Sequence, residues 1–254
     1  MISTCDGWGI PKCDCCVAGV LSYFELHNEP CSEETTRQIA VDVTRTLPLH
    51  CWFSRHPQRG RESLQRLLHA LSVRLGADIG YVQGMNMIAS LALIHMNDEE
   101  RSFWFCVAYM EHYNMMHFYK NGLKFLQVCM DALDECIASH LPKLSLHLKS
   151  IGISSIMFSS PWFLTLFAYN LPFRQSTVIM DSFIVSGLKW KLVFMFAMEY
   201  LRHVQSKLLR SKVNYKTCDA AMISHYHLTY VCVVSIINLR CVISLRESHY
   251  YSLK

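Results

Sequence analysis

Apolar residues recur along much of the chain at the spacing of a buried helix face. In the stretch "SLQRLLHALSVRLG" the leucines stand at i, i+3, i+4, i+7 and i+11, which places them on one side of an α-helix. These residues are Leu64, Leu67, Leu68, Leu71 and Leu75. Gly76 follows them and is placed to end the helix in a left-handed cap.

Further stretches predict more helices. Residues 85–96 are apolar nearly all round, which is typical of a helix in the core. The next helix is predicted to have Asn97 as its N-cap. Another is predicted to start with Ser160 before Pro161 and to close before Pro172, and the following one to stop at Gly187.

The fold class predicted from these patterns is all-α. A long helical pattern covers residues 189–212, and the chain lacks the alternating strands and turn signals of a βαβ fold. It also lacks a repeat of the length that indicates a solenoid. The last stretch, from about residue 210 onwards, has weaker periodicity and more β-branched residues, so its structure is not predicted.

Composition narrows the class of protein. The chain has 254 residues, of which 52% are hydrophobic and 17% charged, and this excludes a disordered protein. The net charge of +4 comes without a Lys/Arg run, so a nucleic-acid partner is not expected. The twelve cysteines are scattered and no basic segment followed by an apolar run opens the chain. We therefore expect reduced thiols in a cytoplasmic protein.

Metal and self-contained enzyme chemistry have little support. Cys13–Cys16, "CDCC", lacks the paired CxxC spacing of zinc sites. His225–His227, "HYH", has no accompanying acid or cysteine set, so surface or core packing is favoured. The GxxxxGK[ST], GxGxxG, HExxH and GxSxG motifs are absent. We expect no metal site and no cofactor of the chain's own.

One apolar stretch raises the question of a membrane anchor. Residues Leu228–Leu245 are apolar but interrupted by Arg240, which leaves an uninterrupted run of about 12 residues where a span needs about 20. A buried helix or strand is therefore favoured, and no integral membrane span is expected. A tail anchor stays open as the alternative for this stretch.

Two polar features stand out against the apolar pattern. Asp42 and Arg45 are three residues apart on a predicted helix, where a solvated ion pair would contribute a few tenths of a kcal/mol. Gln83 lies in a loop between two helices, preceded by Gly80 and followed by Gly84. Taken alone, Gln83 is equally well explained as a polar loop residue that caps the next helix.

Together the two features resemble the signatures of the TBC domain, the GTPase-activating domain for Rab-type small GTPases. The first signature, I-x-x-D-x-x-R-T-x-P, is matched by Ile39, Asp42, Arg45, Thr46 and Pro48. The second, G-Y-x-Q-G-M-N, is matched by Gly80, Tyr81, Gln83, Gly84, Met85 and Asn86. A later W-F-x-x-L-F…L-P…D…G segment is matched by Trp162, Phe163, Leu166, Phe167, Leu171, Pro172, Asp181 and Gly187.

The resemblance implies an organisation and a subgroup. It predicts a divergent N-terminal segment at 1–29, a single multi-helix TBC domain at 30–205 and a divergent C-terminal tail at 206–254. Within the family the chain looks nearest to the growth-hormone-regulated TBC proteins. It departs from the family's pattern after the "GIP" turn at Gly9–Pro11, where the usual R-x-x-W stretch is missing.

The resemblance also implies a function. The chain would not be an enzyme by itself. It would supply Arg45 and Gln83 in trans to the GTP and magnesium of a GTP-bound Rab, Arg45 against phosphate charge and Gln83 to orient the attacking water. Asp42 would orient Arg45. The other supporting positions would be Thr46, Gly80, Tyr81, Gly84, Asn86 and Asp181.

The implied location is the cytoplasm or the cytoplasmic surface of endomembranes, in vesicle trafficking. One alternative function remains at this stage. It is a catalytically inactive TBC fold that serves as a binding module or scaffold for a small GTPase. The missing first-helix motif favours this alternative, and the intact Arg45 and Gln83 argue against it.

Overall fold

A computed structural model describes residues 21–210 of the chain, apart from 56 and 114. Within them lie helices and no β-strand, which confirms the all-α prediction. The α-helices, in chain order, are α1 Tyr23–Asn28, α2 Glu33–Arg45, α3 Cys51–Ser54, α4 Pro57–Leu75, α5 Met85–Met96, α6 Glu99–His112, α7 Met116–Tyr119, α8 Lys124–His140, α9 Pro142–Ser150, α10 Ile156–Thr165, α11 Phe173–Ser186 and α12 Trp190–Leu208.

The first half of the fold is organised around α4. The leucine stripe of this helix is buried, and α1, α2, α3, α5 and α6 all pack against it. Gly76 follows α4 with a φ of 71°, the left-handed conformation that the sequence predicted. The next helix, α5, is buried along its first nine residues, as its uniformly apolar sequence predicted.

The second half is built from α8, α10 and α12, which contact one another, and α10 also contacts α5 in the first half. The side chain of Trp162 on α10 is almost completely buried. Its ring lies against those of Phe158, Phe167 and Tyr200. This aromatic cluster packs around α10, whose C-terminal end lies against the glutamine loop.

The predicted N-cap of α6 is wrong by one residue. Asn97 ends α5 in the left-handed conformation with a φ of 49°. Asp98 caps α6 instead, since its side chain accepts a hydrogen bond of 2.8 Å from the backbone N–H of Arg101. Asparagine tolerates the left-handed region better than most residues, so it serves as the end of one helix while the aspartate begins the next.

The predicted start at Ser160 is also wrong. The helix α10 begins at Ile156 after Ser155, and Pro161 lies inside it. The proline withholds the N–H that would bond the carbonyl of residue 157. The hydroxyl groups of Ser160 and Thr165 donate to the Ile156 and Pro161 carbonyls, so the side chains around the proline are bonded back to the same helix.

Several predictions fall on other parts of the chain. The cysteine cluster at 13–16, the His225–His227 stretch and the apolar run Leu228–Leu245 lie outside the described residues. The boundaries at 29 and 205 stay predictions, although Leu26 before the first and Leu208 after the second are buried. Within the described part of the chain, no helix has both the length and the apolar character that crossing a bilayer requires.

A charged cluster joins α1, α4 and α6. The carboxylate of Glu99 accepts hydrogen bonds from the Tyr23 hydroxyl at 2.8 Å, the Ser63 hydroxyl at 2.7 Å and the Arg66 guanidinium at 2.5 and 3.0 Å. Burial opposes ionisation, but the bonds from Arg66, Ser63 and Tyr23 outweigh it and lower the pKa of Glu99 to about 2.

This cluster predicts a pH dependence of stability. The pKa of Glu99 falls from 4.5 to about 2 on folding, so its charge stabilises the folded protein above pH 4.5 and ceases to do so as the pH falls toward 2. Glu99→Gln should therefore lower the free energy of unfolding more at pH 7 than at about pH 3, as measured by urea denaturation. Glu135→Gln, at an exposed residue without a hydrogen bond or ion pair in the described part of the chain, controls for the lost charge. An equal loss at both pH values for Glu99→Gln would contradict the linkage.

Candidate functional site

Arg45 is the last residue of α2 and is held there by a buried acid. Its Nε and Nη2 atoms both donate to Oδ1 of Asp42, at 2.9 and 2.5 Å. The Asp42 side chain is 6% exposed and that of Arg45 is 48% exposed. The solvated surface pair expected from spacing alone is therefore not what forms. One end of the arginine is fixed in the protein while about half of its surface faces solvent.

The second oxygen of the same carboxylate joins α2 to the glutamine loop. The hydroxyl of Tyr81 donates to Oδ2 of Asp42 at 2.5 Å. Burial and this hydrogen bond to the carboxylate both raise the pKa of Tyr81, so the phenol stays a neutral donor. Each oxygen of Asp42 thus has a partner, one from each of the two sequence motifs.

A second connection runs through buried polar side chains. The Thr46 hydroxyl donates to the backbone carbonyl of Asp42 at 2.7 Å and accepts from Nδ2 of Asn86 at 2.8 Å. Oδ1 of Asn86 accepts from the backbone N–H of Gly84 at 3.0 Å. We call the set Asp42, Arg45, Thr46, Tyr81, Asn86 and Gly84 the bridging network. It links the segment that carries Arg45 to the loop that carries Gln83.

Gln83 differs from the residues around it. Its side chain is exposed and makes no hydrogen bond to any residue that the structure describes. The backbone on either side is fixed: the Gly84 N–H is bonded to Asn86, and the Val82 N–H lies 3.5 Å from the sulfur of Met85. The loop therefore holds the glutamine backbone in place and leaves its amide group available.

The glycines of the loop meet two different demands. Gly84 has a φ of 112°, and a Cβ on it would lie 3.3 Å from Cγ2 of Thr165 and 3.4 Å from Cβ of Leu164. The position therefore needs glycine for its conformation and for its close approach to α10. Gly80 has a φ of 57°, and the nearest atom to a built Cβ would be Ser72 Oγ at 3.9 Å. This position therefore needs glycine for its backbone conformation and not for a close approach.

The support behind Gly84 was not anticipated from the sequence. Thr165 and Leu164 form the wall that the glycine meets, and the hydroxyl of Tyr119 donates to the Leu164 carbonyl at 2.7 Å. Burial raises the pKa of Tyr119, so it too stays a neutral donor. Tyr119 lies far from both motifs in the chain, and no local pattern marks it. Thr165 lies within the third matched stretch, which is the one signal that could have identified it.

Asp181 is not part of this arrangement. It lies on the exposed side of α11 and makes no hydrogen bond or ion pair with the described residues. The structure thus brings together Asp42, Arg45, Thr46, Tyr81, Gly84 and Asn86, with Gln83 beside them and Gly80 at the start of the loop. It does not place Asp181 among them.

A surface cavity and possible metal-binding clusters have less support as a functional site than the bridging network. A surface cavity of about 840 Å³ is bordered by Trp52, Arg59, Arg66 and Glu99, and it includes no residue of the bridging network. Arg66 and Glu99 are already paired with each other in it. Nowhere in the described part of the chain do three His, Cys, Asp or Glu residues gather as a metal site would need.

Comparison with known proteins agrees with the motifs. The model of the Rab-GTPase-TBC domain family matches residues 14–209. The Rab GTPase-activating protein tbc-11 of Caenorhabditis elegans is 30% identical over 75% of this chain and 20% of its own length. The human ecotropic viral integration site 5 protein homolog is 32% identical over 74% of this chain and 22% of its own length. The chain thus spans about a fifth of the length of these relatives.

Solved structures show the same architecture. The TBC domain of a Chlamydomonas flagellar RabGAP superposes with a TM-score of 0.70 at 28% identity, over 87% of this chain and 73% of that one. The Ypt/Rab-GAP domain of Gyp1p superposes with a TM-score of 0.68 at 15% identity, over 87% and 79%. The second likeness concerns the fold alone.

The bond between Thr46 and Asn86 can be measured directly. Each residue replaced by alanine leaves a buried partner unpaired, which should cost about 1–3 kcal/mol of unfolding free energy. Because the 2.8 Å bond is broken in either single variant, the double variant Thr46→Ala/Asn86→Ala should lose about 1 kcal/mol less than the sum. Urea denaturation of the four proteins gives this coupling. Strict additivity would show that the two motifs are not coupled through this pair.

Proposed function

The chain belongs to the Rab-GTPase-TBC domain family, and we propose that it accelerates GTP hydrolysis on a Rab-type small GTPase by supplying Arg45 and Gln83 to the partner's active site. The observation that carries the proposal is the bridging network. It fixes the two motifs to each other by buried hydrogen bonds, while the predicted arginine and glutamine keep their polar ends exposed.

Arg45 is suited to a charge that develops during the reaction. Phosphoryl transfer spreads negative charge over the oxygens of the γ-phosphoryl group, and an arginine supplied in trans accelerates it by about 10³ to 10⁵. This factor corresponds to roughly 4 to 7 kcal/mol of transition-state stabilisation. The bonds to Asp42 engage Nε and Nη2, so Nη1 keeps its two N–H groups for phosphate oxygens.

Gln83 is suited to positioning water. Its amide group donates and accepts hydrogen bonds at once, so it can accept from the attacking water while it donates to a neighbouring oxygen. The absence of a bond to the described part of its own chain leaves both functions available. The fixed backbone at Gly84 limits the directions that the side chain takes.

The partner supplies the remaining chemistry. GTP and magnesium belong to the GTP-bound Rab, and the chain acts as an activator in trans without a cofactor of its own. Rab-type GTPases place the activity in vesicle trafficking, in the cytoplasm or at the cytoplasmic surface of endomembranes. The other functional interpretation, a TBC fold that binds a GTPase without accelerating hydrolysis, is an outcome of the tests below.

Replacement of Arg45 tests its proposed role in stabilising the charge of the transition state. Arg45→Ala should reduce stimulated single-turnover GTP hydrolysis at least about a hundredfold, on whichever member of a Rab panel the wild-type protein stimulates. Arg45→Lys should also fail, because a lysine keeps a cation beside Asp42 but lacks the planar fork. Arg101→Ala, on the exposed side of α6, is the matched control for charge and should retain activity. Full activity of Arg45→Ala would remove the proposed role.

Replacement of Gln83 tests its proposed role in positioning the attacking water. Gln83→Ala should lower kcat and leave both KM and the melting temperature nearly unchanged, since the side chain makes no hydrogen bond to the described part of the chain. Gln83→Glu keeps the size but loses the N–H donors, and it should fail as well. A Gln83→Ala protein with unchanged kcat and raised KM would assign the residue to binding instead.

A further inference from the structure

The most exposed large apolar side chain of the described residues is four positions after Arg45. Leu49 is 93% exposed. It lies in a tight turn that starts at Leu47, where the backbone N–H of His50 donates to the Leu47 carbonyl at 3.0 Å. Pro48 occupies the second position of this turn, where its fixed φ is favoured, and Leu49 the third. The leucine is thus presented at the tip.

The turn is anchored at both ends. Before it, Thr46 belongs to the bridging network and Leu47 is fixed in a left-handed conformation with a φ of 41°. After it, Nδ1 of His50 accepts from the Trp52 N–H at 3.3 Å, and the His50 ring lies 4.5 Å from that of Phe173. A side chain on such a turn loses little further conformational freedom when a partner covers it.

Two more exposed apolar side chains flank the same region. Val41 is 56% exposed and lies one helical turn before Arg45 on the same side of α2. Tyr169 is also 56% exposed, and its backbone N–H donates to Oγ1 of Thr165, the residue that packs against Gly84. We call Val41, Leu49 and Tyr169 the apolar rim.

Distances along the chain put Val41 and Leu49 within reach of the partner that receives Arg45. Leu49 lies at most about 14 Å from Arg45, because it is four positions further along the chain. Val41 lies about 6 Å from Arg45 along the helix axis. A typical interface covers about 800 Å² per partner, a patch roughly 30 Å across. A protein that receives the Arg45 side chain therefore covers Val41 and Leu49 as well.

We infer that the apolar rim is the docking surface for the GTP-bound GTPase, and that Leu49 is a specificity-determining side chain that selects partners with an apolar recess beside their nucleotide. This inference rests on the proposed function. A partner with a charged group opposite Leu49 would have to bury that group without a pairing partner, which disfavours binding. Partner choice then depends on the surface beside the nucleotide as well as on the nucleotide itself.

The charge of the site favours this occupant over two others. Val41 and Leu49 lie close to the half-exposed Arg45 along the chain, so the partner needs an anionic centre with an apolar border, as a GTPase with bound nucleotide presents. A second copy of this chain on a two-fold axis would bring Arg45 toward its own copy. A lipid surface would place the polar Gln83 and the rim in the same apolar layer.

The inference is tested by comparing the kinetics of the Leu49→Ser variant with those of a control variant in which another exposed leucine is replaced by serine. Leu146 on α9 is also strongly exposed, and α9 packs mainly on α8, so Leu146→Ser is the control. Single-turnover hydrolysis over a Rab panel should show KM raised about tenfold by Leu49→Ser with kcat unchanged, and neither value changed by Leu146→Ser. Binding of the same GTPases loaded with a non-hydrolysable GTP analogue should weaken by the same factor.

The outcomes separate this inference from the proposed function. Stimulation that Leu49→Ser leaves unchanged overturns the docking surface and keeps the catalytic function. Binding that Leu49→Ser weakens, without stimulation by the wild-type chain, supports the docking surface and overturns the catalytic function. If the wild-type chain neither binds nor stimulates any member of the panel, the docking surface and the catalytic function are both overturned. If Leu49→Ser only converts a dimer to a monomer, the occupant is a second copy and the inference is wrong.

Discussion

The buried carboxylate of Asp42 is the group on which the arrangement of this site depends. A carboxylate removed from water is tolerated when both oxygens are paired, and here one binds Arg45 and the other binds Tyr81. The Asp42 carboxylate therefore fixes the position from which the Arg45 side chain extends toward solvent. It also requires the glutamine loop to stay close to α2, because the Tyr81 hydroxyl comes from that loop. Orientation of the cation and attachment of the loop are thus two effects of one buried charge.

The second half of the fold supplies the wall behind this site. The backbone after α10 turns through Leu166 and Phe167, which both have left-handed conformations with φ values of 47° and 63° and are almost completely buried. Such conformations cost roughly 1–3 kcal/mol each for residues other than glycine, so the surrounding packing must compensate. Thr165, the last residue before this turn, lies against Gly84. The glutamine loop of the first half therefore packs against a helix end whose following turn is held by the core of the second half.

The sequence predicted the parts of this protein that depend on local periodicity. The leucine spacing of α4 and the left-handed Gly76 were correct because hydrophobic period and glycine conformation act over a few residues. The starts of α6 and α10 were wrong where two plausible caps stood side by side or where a proline was accommodated inside a helix. The Asp42–Arg45 contact followed from their spacing, but the burial of Asp42 did not. Burial depends on Tyr81 and on the packing of α2 against α4, which spacing does not encode.

The exposed position of Gln83 has a consequence for how such a chain changes over evolutionary time. Tyr81, Thr46 and Asn86 are buried and hydrogen-bonded, so a mutation in any of them is opposed by selection for a folded protein. Gln83 makes no hydrogen bond to the described residues, so selection for folding does not preserve it. Under the proposed function, a descendant that no longer acted on a GTPase would lose the glutamine first and keep the scaffold. The identity of this one side chain therefore carries information about inherited activity that the surrounding architecture does not.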